Sequence, residues 1–144
     1  MDDILAAEEQ IVKQIEKCSV ELRGRVRRTD EAGPDRLKEK FKRSPSAVVL
    51  FAGATPTSGG GDSGVVLNCR WGVLVGVKSA AAPEKARAAA GALLTKTIRG
   101  LHGYKPGDGY MPLRLEGVQA SIYTDNGWFV LPLVFSTTAA LTAH

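Results

Sequence analysis

The sequence predicts an α+β fold, a two-layer domain of about four mostly antiparallel strands covered by helices, with an N-terminal amphipathic helix. Three observations carry this expectation. Residues 65–77 alternate with period two, and residues 2–22 and 83–101 carry apolar stripes at helical spacing. The elements also follow one another as helix, short helix, strand, strand, helix, strand, strand, an order that one helix-covered sheet accommodates.

The first helix, expected over residues 2–22, sets Ile4, Ile11, Ile15, Cys18 and Leu22 on one face, widened by Leu5 and Val12. Glu8, Glu9, Lys13, Glu16 and Lys17 take the other face, with acids early and arginines after the end, as the helix dipole favours. Gly33-Pro34 then opens a short second helix reaching about Lys42. SAVVLFAG, residues 46–53, is a short strand, and ATPTSGGGDSG after it is a flexible loop. In GVVLNCRWGVLVGVKS the odd positions Val65, Leu67, Cys69, Trp71, Val73, Val75 and Val77 are apolar and point inward, while Gly72 and Gly76 mark bends.

Pro83 begins a second long helix, 83–101, whose stripe is Ala86, Ala90, Leu93, Leu94, Ile98 and Leu101. Its alanine-rich start allows close approach to a sheet, and Gly100 or Gly103 supplies the stop. Leu113 and Leu115 fall on odd positions but Val118, Ala120 and Ile122 on even ones, so one extra residue at Glu116–Gly117 makes a β-bulge. Asp125-Asn126-Gly127 is a tight hairpin signal. The return strand puts Phe129, Leu131, Leu133 and Phe135 on one face, and Pro132 within it indicates an edge or a local break. The chain, 1–144, is expected to be a single domain, with a helical N-terminal segment 1–45 and a sheet with its central helix over 46–137.

Composition narrows the function. The hydrophobic fraction of 44% and the charged fraction of 24% are those of a soluble globular protein, and no apolar run reaches the roughly 20 residues that span a bilayer. The start, MDDILAAEEQ, lacks the basic and apolar regions of a signal peptide, and Cys18 and Cys69 sit in apolar patterns as reduced thiols; both suit a cytoplasmic place of folding. The net charge of +4 is concentrated in residues 22–43, where nine arginines and lysines meet four acids. Such a run is a solvated face, an acidic partner's contact, or the phosphate-binding stretch of a small basic nucleic-acid-binding protein.

Catalytic patterns are thin. In RGLHGYKPGDGYMPLRLEG, residues 99–117, the glycines follow a helix and lead into a strand, so the loop offers a helix C-terminus rather than the anion-binding N-terminus. Neither CxxC nor HExxH spacing occurs, so no metal site is expected. Cys69, His102 and Asp108 would be needed together for nucleophilic catalysis, but Cys69 alternates in phase with core valines and His102 falls at a helix end near its last carbonyls. The aromatics Trp71, Tyr104, Tyr110, Tyr123 and Trp128 are scattered rather than interleaved with basic residues as on an RNA-binding sheet. No enzyme activity and no cofactor are expected.

The pieces RWGVLVGV, TIRGLHGYKPGDG, PLRLEGVQ and DNGWFVLPLVFST, in that order, resemble the tail-terminator proteins of contractile- and long-tailed bacteriophages, in particular the Mu-like group. The resemblance covers most of the chain from about residue 46 onward, with an N-terminal helix expected before it. It implies a virion protein, assembled in the bacterial host cytoplasm, that forms a hexameric ring on the head-proximal end of the tail tube. Such a ring stops tube polymerisation and gives the head–tail connector a docking surface; a neck or tail-completion subunit of similar fold is the sister role. The implied partners are further copies of itself, the tube protein and the connector or neck protein, with DNA only passing through the lumen and no membrane. Under this reading Arg23, Arg25, Arg27, Arg28, Tyr104, Pro106, Tyr110, Trp128 and Pro132 are the partner or subunit interface. Residues 53–64 and 102–111 are expected to order only against a neighbour.

Overall fold

The computed structural model describes residues 3–28, 43–57, 64–78, 83–124 and 127–142. The expected second helix, 34–42, and half of the segment 53–64, residues 58–63, lie outside them. A 3-10 turn, Ile4–Ala6, leads into helix α1, Ala7–Cys18, and a second 3-10 turn, Val20–Leu22, follows. Strands β1 (Val26–Arg28), β2 (Ser46–Pro56) and β3 (Gly64–Lys78) come next, then helix α2 (Pro83–Leu101). Strands β4 (Arg114–Val118), β5 (Ile122–Tyr123) and β6 (Trp128–Thr142) complete the chain. The sheet order is β1-β2-β3-β6-β4, with β5 also beside β6; β1 and β2 are parallel and the other pairs antiparallel.

The architecture is the expected helix-covered α+β sheet, with four differences of detail. Among the described residues there are six strands rather than about four. β1 was hidden because only three residues form it, within an arginine-rich run that has no alternation long enough to read. β2 runs to Pro56, past its expected end at 53 and into the expected flexible loop, because Ala54, Thr55 and Pro56 pair with Cys69, Asn68 and Leu67 of β3. The first helix ends at Cys18 rather than near Leu22, because Ser19 is extended (φ −136°, ψ 108°) and its buried hydroxyl donates to Glu21 Oε2 at 3.0 Å. The return strand continues to Thr142, five residues past its expected end at 137, because Ala139 still packs into the core and Tyr110 bridges to it.

β3 and β6 pair without interruption from Gly64↔Thr142 to Lys78↔Trp128, so Gly72 and Gly76 do not break the ladder. Gly72 instead makes room for Leu50, whose Cγ lies 3.1 Å from where a Cβ would stand. One sheet face carries Trp71, Val73, Val75, Leu133 and Phe135 against Ile11 and Ile15 of α1 and Ala90 and Leu93 of α2. The bulge falls between Leu115 and Gly117, as the phase shift predicts. The opposite face has a smaller buried cluster of Val48, Leu74, Trp128 and Val130, with Leu50 against it.

α1 crosses α2 at Gly100, and a Cβ there would lie 2.4 Å from Cys18 Sγ. Gln14 Nε2 donates to Gly100 O at 3.0 Å at the same crossing. Gly100 is therefore the contact point, while Gly103, at φ +86°, is the stop.

Candidate functional site

The expected interface residues occupy three separate places. The four arginines gather at the β1 end of the sheet, after the turn that follows Leu22. Arg25 is half-buried and donates to Ser44 O at 2.8 Å, and Arg27 donates to Gly24 O at 3.1 Å. Both are committed to local backbone. The Arg23 and Arg28 side chains are exposed, with no hydrogen-bond or ion-pair partner among the described residues.

Tyr104, Pro106 and Tyr110 come together in the glycine loop, which is not waiting for a neighbour: it is built into the subunit. Gly103 N–H donates to Leu113 O at 2.7 Å and Leu113 N–H to Tyr104 O at 2.8 Å. Gly107 (φ +152°) and Gly109 (φ +85°) then turn the chain so that Tyr110, 4% exposed, enters the core and its hydroxyl donates to Ile4 O at 2.6 Å. The expectation that residues 102–111 order only against a partner is thereby corrected, because Tyr110 supplies a buried anchor. Pro106 is buried and Tyr104 half-buried, and with Asp3, Gln10, Lys105 and Asp108 they line a cleft of about 350 Å³ beside the start of α1.

Trp128 and Pro132 lie on the face opposite the helices. Trp128 is 2% exposed, so its ring belongs to the subunit's own packing. Pro132 is inside the sheet and not at its edge: it sits opposite Leu74 of β3, and its carbonyl accepts from Gln119 N–H at 2.9 Å. Its nitrogen, on the same side as that carbonyl, meets the break between β4 and β5, where no donor is needed. Of the two meanings a mid-strand proline has, the local break is the one found.

Two surface features escaped the sequence reading. On the opposite face, left bare by the described helices, Arg70, Ser136 and Arg114 are aligned across β3, β6 and β4, and a cleft of about 410 Å³ opens among Asn68, Met111, Arg114, Glu116, Ser136 and Thr138. The Ser136 hydroxyl donates to Glu116 Oε1 there. Arg70 and Asn68 do sit on the polar phase of β3, a signal the sequence contains, but the bulge concealed which face Arg114 and Glu116 would share. The second feature is the β4–β5 edge, where Val118, Ile122 and Tyr123 are 46%, 37% and 56% exposed. Tyr123 stacks on Phe129 at 4.9 Å and accepts from Arg87 Nη1 at 3.3 Å.

The titratable groups are dispersed. Among the described residues no group of three or more His, Cys, Asp and Glu side chains is placed to hold a metal ion. Cys69 is buried and His102 is exposed, its Nδ1 accepting from Leu115 N–H at 3.1 Å rather than meeting the last helix carbonyls. Burial pushes the Cys18 and Cys69 thiols up, which makes them poorer nucleophiles. The Lys96 ammonium, 2.9 Å from Glu21 Oε1, holds the Glu21 carboxyl down at about 2. No described helix is long and apolar enough to cross a membrane.

Two comparisons fit this fold. The family model described as phage tail terminator protein matches residues 1–143. Among solved structures, the chain is similar to one from the virion of a native gene transfer agent particle, with a TM-score of 0.61 and 15% identity, covering 95% of this chain and 98% of that one. At that identity the likeness shows the fold. No curated protein matches the chain.

Proposed function

The chain belongs to the phage tail terminator family, and from that premise we propose that it caps the head-proximal end of a tail tube as a hexameric ring. The ring stops tube polymerisation and gives the head–tail connector a surface to dock on, and DNA passes through its lumen. The observation that carries this reading is the match of the family over residues 1–143, the whole fold and not one element of it. A ring needs two different patches on each subunit, one for each neighbour.

The Arg23 and Arg28 side chains, without a partner among the described residues, are the part of the arginine run available to an acidic face of the tube or connector protein. Tyr104 and Lys105, at the mouth of the cleft beside α1, are the accessible part of the glycine loop for such a contact.

Negative-stain images of tails assembled without this protein test the proposal. Tubes without a defined length are expected, and tails of normal length would overturn the terminating role. In the same images, tails made with Arg23→Glu/Arg28→Glu should lack joined heads or a terminal ring. Normal particles would remove these arginines from the interface.

A further inference from the structure

Among the described residues the strand order has two ends, and each is open over only part of its length. On one side β1 pairs with Ala47, Val48 and Val49 of β2, and beyond it no described strand covers the outer edge of β2 from Leu50 to Pro56. On the other side the beginning of β4 is closed. The backbone of Leu113 pairs with Gly103 and Tyr104, and Leu115 N–H donates to His102. The open stretch there is 117–123, which carries the exposed Val118, Ile122 and Tyr123. An open strand edge with apolar side chains is a template for another strand.

The backbone directions on the two open edges match. Along a strand, successive residues turn their N–H and C=O to opposite sides. Thr57 N–H donates to Val66 O on β3, so Ala54, three residues earlier, turns its pair to the open side. Gln119 N–H donates to Pro132 O on β6, so Val118, one residue earlier, also turns its pair outward. Pro56 faces outward too but has no N–H to donate, which ends the usable edge there. β2 runs opposite to β4, because β2 and β6 are each antiparallel to β3 and β4 is antiparallel to β6. A second copy placed beside the first in the same orientation therefore presents an antiparallel partner.

We propose that neighbouring copies join edge to edge, Ala54 of one opposite Val118 of the next with both backbone hydrogen bonds exchanged, and Thr55 opposite Gly117. This deepens the ring reading above and rests on it. Backbone direction restricts the seam to pairs of outward-facing residues, and this pairing sets the offset between neighbouring copies. Thr55 is level with Thr138 through Asn68, and Gly117 is level with Val134, an offset of four residues along β6. Four residues are about 13 Å, against about 19 Å for the width of β2, β3, β6 and β4, a slope of about 35°. Closed barrels have strands tilted by roughly 35–45°.

The sense of the tilt follows as well. With the β3–α2–β4 crossover right-handed, the offset rises to the right when the sheet is viewed from its helical side. This is the right-handed coiling of a barrel with α1 and α2 outside and the bare face inside. The bulge between Phe51 and Ala54, beside the seam, supplies the local bend that barrel rims use. Six copies enclose a channel of roughly 44 Å between backbones, too wide to be filled by side chains. Arg70 and Asn68 face that channel.

Disulfide cross-linking tests the seam. Thr55 is exposed, and a Cβ at Gly117 meets nothing within 4 Å, so Thr55→Cys and Gly117→Cys are both tolerated by the subunit. They form a pair without hydrogen bonds between them, the closer kind of antiparallel pair. Oxidising assembled tails that carry the double variant should give, on a non-reducing gel, a ladder of multimers up to a closed ring. Dithiothreitol should collapse it, and each single variant should run as a monomer. Tails of normal length that hold a ring of the double variant but give no ladder would overturn the seam and leave the ring standing. Tails holding one copy each would remove the ring, and the seam with it.

Discussion

On the face of the sheet that meets α1 and α2, Trp71 and Phe135 are fully buried and Leu133 is 1% exposed. On the opposite face the buried hydrophobic side chains are Val48, Leu74, Trp128 and Val130, and the other half carries Arg70 and an open cleft lined by Asn68, Ser136 and Thr138. The same three strands supply both faces. The difference teaches where stability and where assembly reside. The helical face is committed to packing within the subunit, so substitutions there act on folding. The polar half of the bare face has few internal obligations, so substitutions there act on what the subunit meets.

The helical face offers the largest way to break this contrast. Gly100→Ala puts a methyl 2.4 Å from Cys18 Sγ and 2.9 Å from Cys18 Cβ, so the α1–α2 crossing must open. A loss of about 1–3 kcal/mol in urea unfolding is expected, the usual cost of overpacking. Adding Cys18→Ala should restore part of it, which ties the loss to this contact, since helix propensity by itself favours alanine over glycine. On the bare face, Arg70→Ala with Arg114→Ala should leave unfolding within about 0.5 kcal/mol of the parent, because both side chains are exposed. A larger loss would mean that this face also holds the fold together.

The smallest effect concerns pH. The Glu21 carboxyl is lowered from 4.5 to about 2 in the folded chain, chiefly by its hydrogen bond to Lys96. A carboxylate depressed on folding stabilises above its unfolded pKa, and that contribution fades as pH falls from about 4.5 towards 2. Both partners are about half exposed, so solvent screens the pair. Unfolding measured from pH 5 to 2 should be slightly less steep for Glu21→Gln than for the parent, and identical curves would mean that the ion pair contributes nothing.

The long elements were legible because their side chains repeat. β3 shows its period over residues 65–77, α2 shows its stripe, and the phase shift at Glu116–Gly117 marked the bulge. What could not be read depended on distant contacts. β1 is a strand because β2 lies beside it, not because Val26, Arg27 and Arg28 favour one. The glycine loop is ordered because Tyr110 reaches the start of α1, more than one hundred residues earlier in the chain. Pro132 is tolerated because the strands beside it pause at that level. The seam residues had no signal of their own, since Ala54 and Gly117 are small and Val118 reads as an ordinary strand valine.

The ladder between β3 and β6 carries a consequence for synthesis. The hairpin of β2 and β3 emerges from the ribosome early, whereas the strand that completes it is the last described element of the chain. Until Trp128–Thr142 is made, one side of β3 has fifteen residues without their lasting neighbour. That interval is when a nascent chain is most open to the wrong strand, and it closes only once Trp128–Thr142 has been made.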